Sequence, residues 1–543
     1  MKFRLLVAFF IACAAQLYAA DINAVSAPYI LTPPAPATPR INGASVFGVR
    51  PGSPFLFTIP ATGERPMTFA ADNLPHGLKL DSKTGCITGT LKNKGEFSVT
   101  FRAKNSLGTA EKKFRIVCGD QIALTPPMGW NSWNCFAQAV SADKVKAAAD
   151  AMVKSGLINH GWTYINIDDF WENHQPTKKP ALQDLLQPVR DQNGVIQPNA
   201  RFPDMKGLAD YVHGLGLKIG LYSSPGPWTC GGCAASWQHE EQDAQTYAKW
   251  GFDYLKYDWC SYDDIATGRI PNDKYIPRFN QSDAKATNYA GAIYPYAVMG
   301  KFLREQKRDI VFSLCQYGMA DVAKWGGSVK GNCWRVTDDI TDEWGRVNRG
   351  WLGEGGGDGG GMATIGFNQD KNAPYSKPGN WNDPDMLVVG QVGWGNTHPT
   401  RLTPDEQYTH ISLWCLLAAP LLIGCDMEKL DAFTLNLLSN DEVLAIDQDA
   451  LGKQATCVLK DGDVRVYEKE LADGSHAFGI FNLGVAAANW ELKALTQFGL
   501  TGKQHVRDLW RQKDLADVDA ASGALPLTIP AHGVVLYKLT PAK

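Results

Sequence analysis

The stretch Gly251-Phe-Asp-Tyr-Leu-Lys-Tyr-Asp-Trp-Cys260 decides the fold class, because it holds an apolar strand run, 252–257, that ends on Asp258. The residues just before it, 240–250, carry the apolar period of a helix. The alternation recurs, with helical patterns at 141–157, 205–215 and 294–306 and strand runs at 162–167, 217–222 and 310–315. Repeated strand and helix units between residues 121 and 430 predict a parallel sheet. That length, with polar residues after the strands, predicts an α/β fold of the (β/α)8 TIM-barrel type rather than an open doubly wound sheet.

Two β-rich regions flank the predicted barrel. Residues 21–119 contain short alternating runs between Pro and Gly, which predict a small β-sandwich, and residues 74–90 resemble an immunoglobulin-like repeat of bacterial secreted enzymes. Residues 452–543 alternate again and predict a C-terminal antiparallel β-sandwich domain. The expected organisation is a signal peptide at 1–20, an immunoglobulin-like sandwich at 21–119, the barrel at 120–451 and the second β domain at 452–543.

The N-terminus has the pattern of a targeting segment. Lys2 and Arg4 precede an apolar run at 5–15, and small residues follow at 19–20. This pattern predicts a secretory signal cut near Ala20 and therefore a secreted or periplasmic protein. Lipid anchoring at Cys13 is not expected, because the residues before it only faintly resemble a lipoprotein box.

Composition excludes some classes of partner. The chain has 53 Lys and Arg against 56 Asp and Glu, so no basic surplus exists to neutralise a nucleic-acid backbone. The most apolar later stretch, 414–424, is about half as long as a membrane span needs to be. The glycine-rich stretch 353–361 lacks the Lys and Ser or Thr of a phosphate loop, and we interpret it as a flexible barrel loop. The 17 Trp either fill the core or line a sugar-binding groove.

The cysteines do not form a dense disulfide framework. Of the 12 Cys, 11 remain after removal of the signal, so at least one thiol is free. Cys230 and Cys233 have the CxxC spacing of a zinc or redox motif, but no second pair follows at zinc-site spacing. A long-range disulfide is the favoured interpretation.

The polar residues that follow the strand runs are mostly carboxylates. Their positions are Asp168 and Asp169, Asp258 beside Lys256, Asp338 and Asp339 after Arg335, and Asp383 and Asp385 near an inferred strand at 386–389. The first strand delivers Trp133 to the same rim. An Asp at a strand end often caps the next helix, but a ring of five or more is harder to explain in that way. Carboxylates and aromatic rings without metal-ligand spacing favour glycoside hydrolysis, in which one carboxylate attacks and another protonates.

Several long motifs closely resemble glycoside hydrolase family 27. They are Leu124-Thr-Pro-Pro-Met-Gly-Trp-Asn-Ser-Trp133, Ile167-Asp-Asp-Phe-Trp171, the stretch 251–260 quoted above, Asn332-Cys-Trp-Arg335, Trp381-Asn-Asp-Pro-Asp-Met-Leu387 and residues 440–452. The family contains α-galactosidases and α-N-acetylgalactosaminidases. The resemblance implies a (β/α)8 barrel, a C-terminal antiparallel β domain and hydrolysis with retention of anomeric configuration.

The resemblance also implies roles for single residues. Asp258 matches the nucleophile, and Asp339 rather than Asp338 matches the acid/base because of its spacing from Arg335. Cys230 and Cys260 match an active-site disulfide. The residues implied in substrate binding are Trp133, Asp168, Asp169, Tyr222, Lys256, Gln316, Arg335 and Asp385. No cofactor or metal is expected, and the expected partner is a carbohydrate with terminal α-galactose.

One departure from the family leaves the substrate open. The family's α-galactosidases commonly have Cys-Glu-Trp where this chain has Cys315-Gln-Tyr317, at the position that meets the sugar 2-substituent. Gln316 is uncharged and can donate as well as accept. Hydrolysis of α-galactosides is the first hypothesis, with N-acetyl-α-galactosaminides or β-L-arabinopyranosides as alternatives. A non-catalytic carbohydrate-binding protein is the alternative from a different class. For a retaining enzyme the two catalytic carboxyl groups should lie about 5–5.5 Å apart.

Overall fold

The computed structural model describes residues 29–270, 289–346 and 359–542, which form three units in chain order. The expected signal peptide, Cys13 and most of the glycine-rich stretch 353–361 lie outside the described residues.

The N-terminal unit is a β-sandwich, as its alternating pattern predicts. Its strands are Arg40–Ile41, Val46–Val49, Pro54–Thr58, Ala61–Thr62, Thr68–Asp72, Leu78–Leu80, Cys86–Thr90, Gly95–Asn105 and Gly108–Cys118. They form a four-stranded sheet, a three-stranded sheet and a short two-stranded pair. Phe57 from the three-stranded sheet packs against Phe101 and Phe114 from the four-stranded sheet, with ring centroids 6.0 and 4.8 Å away, respectively. The alternating apolar residues of both sheets therefore build one shared core.

The central unit is a (β/α)8 barrel, which confirms the predicted fold class. Its strands, here named β1 to β8, are Met128–Asn131, Tyr164–Asn166, Lys218–Ser223, Tyr254–Asp258, Val311–Cys315, Cys333–Arg335, Trp381–Asp383 and Leu421–Ile423. From β1 to β7 each strand pairs in parallel with the next, and β1 also pairs with β8. The ring closes just after β7, where the backbone N–H of Leu387 donates to Leu422 at 2.8 Å.

The seventh strand lies earlier in the chain than the sequence suggested. The inferred strand at 386–389 is wrong, because the strand is Trp381–Asp383 and Leu387 makes only an isolated bridge to Ile423. The physical reason is Pro384, which has no N–H for the ladder, together with the left-handed backbone of Asp385, whose φ is 82°. The apolar run at 386–389 is therefore buried and bridges β8 through Leu387, instead of continuing β7.

Helices surround the barrel, and several of them begin after a residue whose side chain caps the helix. They are Trp133–Phe136, Ala142–Lys154, Met205–Gly214, Glu240–Trp250, Tyr262–Ala266, Ala290–Glu305, Val322–Trp325, Met362–Gly366, Pro404–Leu416, Ala432–Leu438 and Asp441–Asp447. Ser141 caps the second through the backbone N–H of Lys144, and Thr403 and Glu406 form a capping box at Pro404–Leu416. In the described part of the chain, no helix is long and apolar enough to cross a membrane.

The C-terminal unit is an antiparallel β-sandwich, also as predicted. Its strands are Thr456–Asp461, Val464–Glu470, His476–Asn482, Ala488–Lys493, Lys503–Asp508, Lys513–Asp514, Val518–Asp519, Ala524–Ile529 and Val534–Pro541. It packs on the buried helix Pro404–Leu416, where Trp510 donates its indole N–H to Ser412 at 2.8 Å. Asn440 joins three segments, because its amide donates to Thr32 at 2.9 Å and to the backbone carbonyl of Leu509 at 2.9 Å.

The N-terminal unit docks on the end of the barrel where the strands begin. Arg50 donates from Nε to Asp309 at 2.6 Å and from Nη1 to the carbonyl of Arg304 at 2.7 Å, just before β5. Thr58 donates to the carbonyl of Gly216 at 2.8 Å, just before β3. Since active sites of such barrels lie at the opposite end, this contact braces the barrel without reaching the chemistry.

We predict that Arg50→Ala loosens the N-terminal unit and leaves catalysis intact. Asp309 would lose its partner in a half-buried contact, so the stability of the docked unit should fall by about 2–3 kcal/mol. Guanidinium unfolding and limited proteolysis would measure this, and kcat/KM should stay within about twofold. Arg115→Ala, which breaks an exposed pair with Glu96, is the matched control. An equal effect of both variants would contradict the prediction.

Candidate active site

The residues expected at the rim all follow strand ends of the barrel. Asp258 ends β4, Arg335 ends β6, and Asp168 and Asp169 lie two and three residues after β2. Gln316 follows β5, and Tyr222 is the penultimate residue of β3. Because parallel strands end at the same face, one end of the barrel receives all of these side chains.

Lys256 and Asp168 form a buried ion pair at the floor of this site. The Lys256 ammonium donates to Asp168 Oδ2 at 2.8 Å, and the amide of Asn131 donates to the same oxygen at 2.9 Å. Burial alone would lower the pKa of Lys256, but the charge of Asp168 outweighs it and the pKa is raised well above its usual value. The pair fixes a cation between β2 and β4. Asn131 was not singled out from the sequence, although it stands in the quoted motif of β1.

Asp169 is buried close to other acidic side chains. Its carboxylate accepts the backbone N–H of Phe170 at 2.8 Å and that of Gly231 at 2.7 Å. A side chain at Gly231 would meet the Phe170 ring within 2.5 Å, so this close approach requires glycine. Burial is the main reason that the pKa of Asp169 is raised to about 7.

Glu172 is an acidic neighbour that the sequence did not single out. It is completely buried, and neither carboxyl oxygen has a hydrogen-bond partner among the described residues. Ligand atoms of Glu172, Asp169 and Cys233 lie within 4.8 Å of one another. Burial, followed by the charge of Asp169, raises the pKa of Glu172 well above its usual value, so the site favours the protonated form of this side chain. The only sequence signal was a charge directly after the apolar pair Phe170-Trp171.

Asp258 is buried and held by two hydrogen bonds. The Tyr222 hydroxyl donates to Oδ2 at 3.0 Å, and the backbone N–H of Trp259 donates to Oδ1 at 2.7 Å. Burial raises the pKa of Asp258, whereas Lys256 and the Trp259 N–H oppose the rise. The negative charge of Asp339 raises it further.

The Cys230–Cys260 disulfide borders the same carboxylate. The two Cα atoms are 4.9 Å apart, and Cys260 Sγ lies 3.3 Å from the Tyr222 hydroxyl. This is the pairing that the family resemblance implied. Because Cys230 is bonded, the CxxC spacing with Cys233 does not provide two thiolates for a metal, and the long-range interpretation is confirmed.

Arg335 connects the exposed Asp339 to the buried Asp385. Arg335 is nearly inaccessible, and its guanidinium contacts Asp339 Oδ1 at 3.0 Å and Asp385 Oδ1 at 3.1 Å. The Asp339 side chain is 58% exposed, so it faces the solvent-filled side of the rim. Asp385 Oδ2 accepts the backbone N–H of Ile340 at 2.8 Å. Both oxygens of Asp385 therefore hold protein groups around Asp339.

Trp133 follows β1 and Gln316 follows β5, so the two side chains come from opposite sides of the barrel. Trp133 lies parallel to Phe170, with ring centroids 6.3 Å apart and an interplanar angle of 13°. The Gln316 amide donates to the carbonyl of Met319 at 3.0 Å, while its buried Oε1 accepts from no described residue. Tyr317 adopts a left-handed backbone with φ of 61°, and its ring lies 5.7 Å from the Arg335 guanidinium. An acceptor is thus available beside an aromatic wall.

Taken together, the site is a ring of carboxylates with two buried cations and aromatic walls at the carboxyl end of a (β/α)8 barrel. One carboxylate, Asp258, is buried and hydrogen-bonded, and another, Asp339, is exposed beside an arginine. Two carboxylates in different environments are what glycoside hydrolysis requires. The class of protein that the fold and site define is a glycoside hydrolase.

Comparisons with known proteins give the family. Residues 125–449 match the family model described as Alpha galactosidase A, residues 461–539 match its C-terminal beta sandwich domain, and residues 38–119 match an Ig domain model. Alpha-galactosidase 2 of Arabidopsis thaliana is 39% identical over 434 residues, which are 79% of this chain and 93% of that protein. The chain therefore belongs to glycoside hydrolase family 27, the α-galactosidase family.

Solved structures agree. A structure from Bacteroides fragilis superposes with a TM-score of 0.81 at 36% identity and covers 93% of this chain and 98% of its own. Alpha-galactosidase I from Mortierella vinacea gives a TM-score of 0.65 at 29% identity, covering 77% of this chain and 98% of that one. The protein is an enzyme acting on carbohydrate, and the non-catalytic binding protein is set aside.

We predict that Glu172→Gln stabilises the protein in a pH-dependent way. The folded state holds the Glu172 proton more tightly than the unfolded chain, so wild-type stability falls as pH rises above the unfolded pKa of about 4.3. Glutamine removes this linkage, and its advantage should grow as pH rises above the unfolded pKa, by at most about 1.4 kcal/mol per pH unit.

Chemical denaturation at several pH values would measure the difference. Glu64→Gln, at an exposed glutamate of the N-terminal unit, is the control and should show no such growth. A Glu172→Gln effect that is constant with pH would show that the buried carboxyl is ionised in the folded protein.

Proposed function

We propose that this protein is a secreted retaining exo-glycosidase that removes terminal α-linked galactose by double displacement. Asp258 attacks the anomeric carbon while Asp339 gives its proton to the departing glycosidic oxygen. A galactosyl ester on Asp258 results. Asp339 then takes a proton from water, which attacks the same carbon and releases galactose with its configuration retained. The contrast between a buried, hydrogen-bonded Asp258 and an exposed Asp339 on Arg335 carries this proposal.

The surroundings of Asp258 suit a nucleophile. Two donors hold its oxygens in place, and Lys256 favours the ionised form that attack requires. When Asp258 becomes an ester, its negative charge disappears. The loss of this charge suits the change of Asp339 from acid to base between the two steps.

The substrate is proposed from the hydroxyl-binding groups. Asp168 and Asp169 would hold the galactose 4- and 6-hydroxyls, and Trp133 would form the wall beside the ring. Lys256 and Arg335 would be the cations that hold sugar hydroxyls. The free acceptor of Gln316 fits a 2-hydroxyl donor. N-acetyl-α-galactosaminides and β-L-arabinopyranosides remain the alternatives, because they differ from galactosides at the 2- and 6-positions only.

Secretion is proposed from the sequence pattern at residues 1–20, which predicts export. Removal of this segment at Ala20 would be seen by mass spectrometry of the protein recovered from an exporting host.

The substrate and the two roles can be tested with one set of aryl glycosides. Wild-type protein should cleave p-nitrophenyl α-galactopyranoside faster than the N-acetyl-α-galactosaminide and the β-L-arabinopyranoside. Asp258→Ala should reduce the rate by roughly four orders of magnitude, and azide should give the β-galactosyl azide. Asp339→Ala should give the α-azide, because azide then attacks the ester. Preference for another glycoside would change the substrate, and exchanged azide products would exchange the two roles.

The pH profile tests the hydrogen bond to the nucleophile. Tyr222→Phe removes a donor that stabilises ionised Asp258, so the pKa of Asp258 should rise further. Since the attacking form is the carboxylate, the acidic limb of kcat/KM should move to higher pH by about half to one unit. Tyr262→Phe, which removes a buried hydroxyl after β4, is the control. If the acidic limb of kcat/KM does not move, the Tyr222 hydroxyl does not stabilise the ionised form of Asp258.

A further inference from the structure

The loop that carries Asp339 is held at several points. The backbone carbonyl of Asp339 accepts from Gly360 at 2.7 Å, and the N–H of Thr341 donates back to Gly360 at 2.8 Å. Asp385 holds the N–H of Ile340, as described above. The exposed side chain of Asp339 thus stands on a fixed backbone.

One further anchor lies three residues beyond Asp339. Asp342 is fully buried, and its carboxylate accepts the backbone N–H of Arg401 at 2.9 Å and the Arg401 Nε at 3.0 Å. Arg401 also donates from Nη1 to Glu343 at 2.9 Å. A paired arginine of this kind fixes position and angle, because its planar donors match the carboxylate plane.

This pair ties the Asp339 loop to a distant part of the barrel. Arg401 lies two residues before Thr403, the cap of the buried helix Pro404–Leu416, which packs against the core. Among the described residues, Asp342 and Arg401 form ion pairs with each other, with His398 and with Glu343 rather than with the buried carboxylates, so the pair is separate from the charge network of the site. The pair therefore acts on the site only through the position of the loop that carries Asp339.

We propose that Arg401 and Asp342 are positioning residues for proton transfer by Asp339. The inference rests on the acid/base role proposed above. A bound arginine holds the loop so that the Asp339 carboxyl stays within reach of the glycosidic oxygen. Loss of this Asp342–Arg401 pair, here called the clamp, lets the loop shift. A small displacement of an acid has a large effect on proton transfer.

Leaving-group dependence separates this role from a purely structural one. An aryl galactoside with an activated leaving group, such as 2,4-dinitrophenol, leaves without a proton, whereas phenol needs one. For Arg401→Gln, kcat/KM for the phenyl galactoside should fall about tenfold and that for the dinitrophenyl galactoside less than about twofold. Because kcat/KM reports the first step, slower hydrolysis of the ester does not blur the comparison.

Three further variants make the experiment decisive. Asp342→Asn should show the same selective loss, and Arg401→Lys should restore part of it. Arg507→Gln breaks a two-pronged pair with Glu442 at the C-terminal unit and should leave both substrates unchanged. Thermal unfolding of each variant identifies any that fail to fold.

The outcomes divide cleanly. If Asp339→Ala shows steep leaving-group dependence but folded Arg401→Gln loses activity equally on both substrates, or on neither, the positioning role is overturned. If Asp339→Ala itself shows no such dependence, the proposed acid/base assignment fails instead.

Discussion

The Lys256–Asp168 ion pair is the interaction on which the site depends. Eight parallel strands end at one face, and that face collects more buried carboxyl groups than the buried cations Lys256 and Arg335 can balance. Lys256 on β4 pairs with Asp168 after β2, and Arg335 pairs with both Asp339 and Asp385. Each cation thus reduces the repulsion between carboxylates and fixes their positions. Removing either would leave buried acids unpaired, which costs several kcal/mol in typical proteins. Several of the remaining buried acids have raised pKa values, so protonation reduces the excess negative charge.

The acids at this face differ in pKa and in exposure to solvent. Asp169 and Asp383, both buried, have pKa values raised to about 7 and about 6, mainly by burial. The pKa of Asp258 is raised less far because Lys256 and the Trp259 N–H favour its charged form. Asp339 alone among the assigned acids is mostly exposed. The same strand geometry therefore yields a held carboxylate and a solvent-facing acid, which is the division of labour that double displacement uses.

The sequence predicted what depends on local pattern. Helix and strand periods located most of the barrel, and Asp258 could be found because it ends an apolar strand. The inferred strand at 386–389 failed because apolar content does not reveal the break at Pro384. The clamp between Asp342 and Arg401 had no local signal, since its partners are 59 residues apart. Glu172 was missed because only the folded chain shows that its carboxyl is buried without a partner.

The two ends of the barrel respond to pH in opposite directions. At the amino end, burial alone would raise the pKa of Asp253, but His213 and Arg308 outweigh it and the pKa is lowered. This group adds stability above its unfolded pKa of about 3.9 and loses it on acidification. At the carboxyl end, raised pKa values make Asp169 and Glu172 reduce stability as pH rises. Functional charge therefore destabilises one end at neutral pH, while paired charge and the docked N-terminal unit stabilise the other. A brace at the amino end suits an enzyme whose open end must keep buried acids.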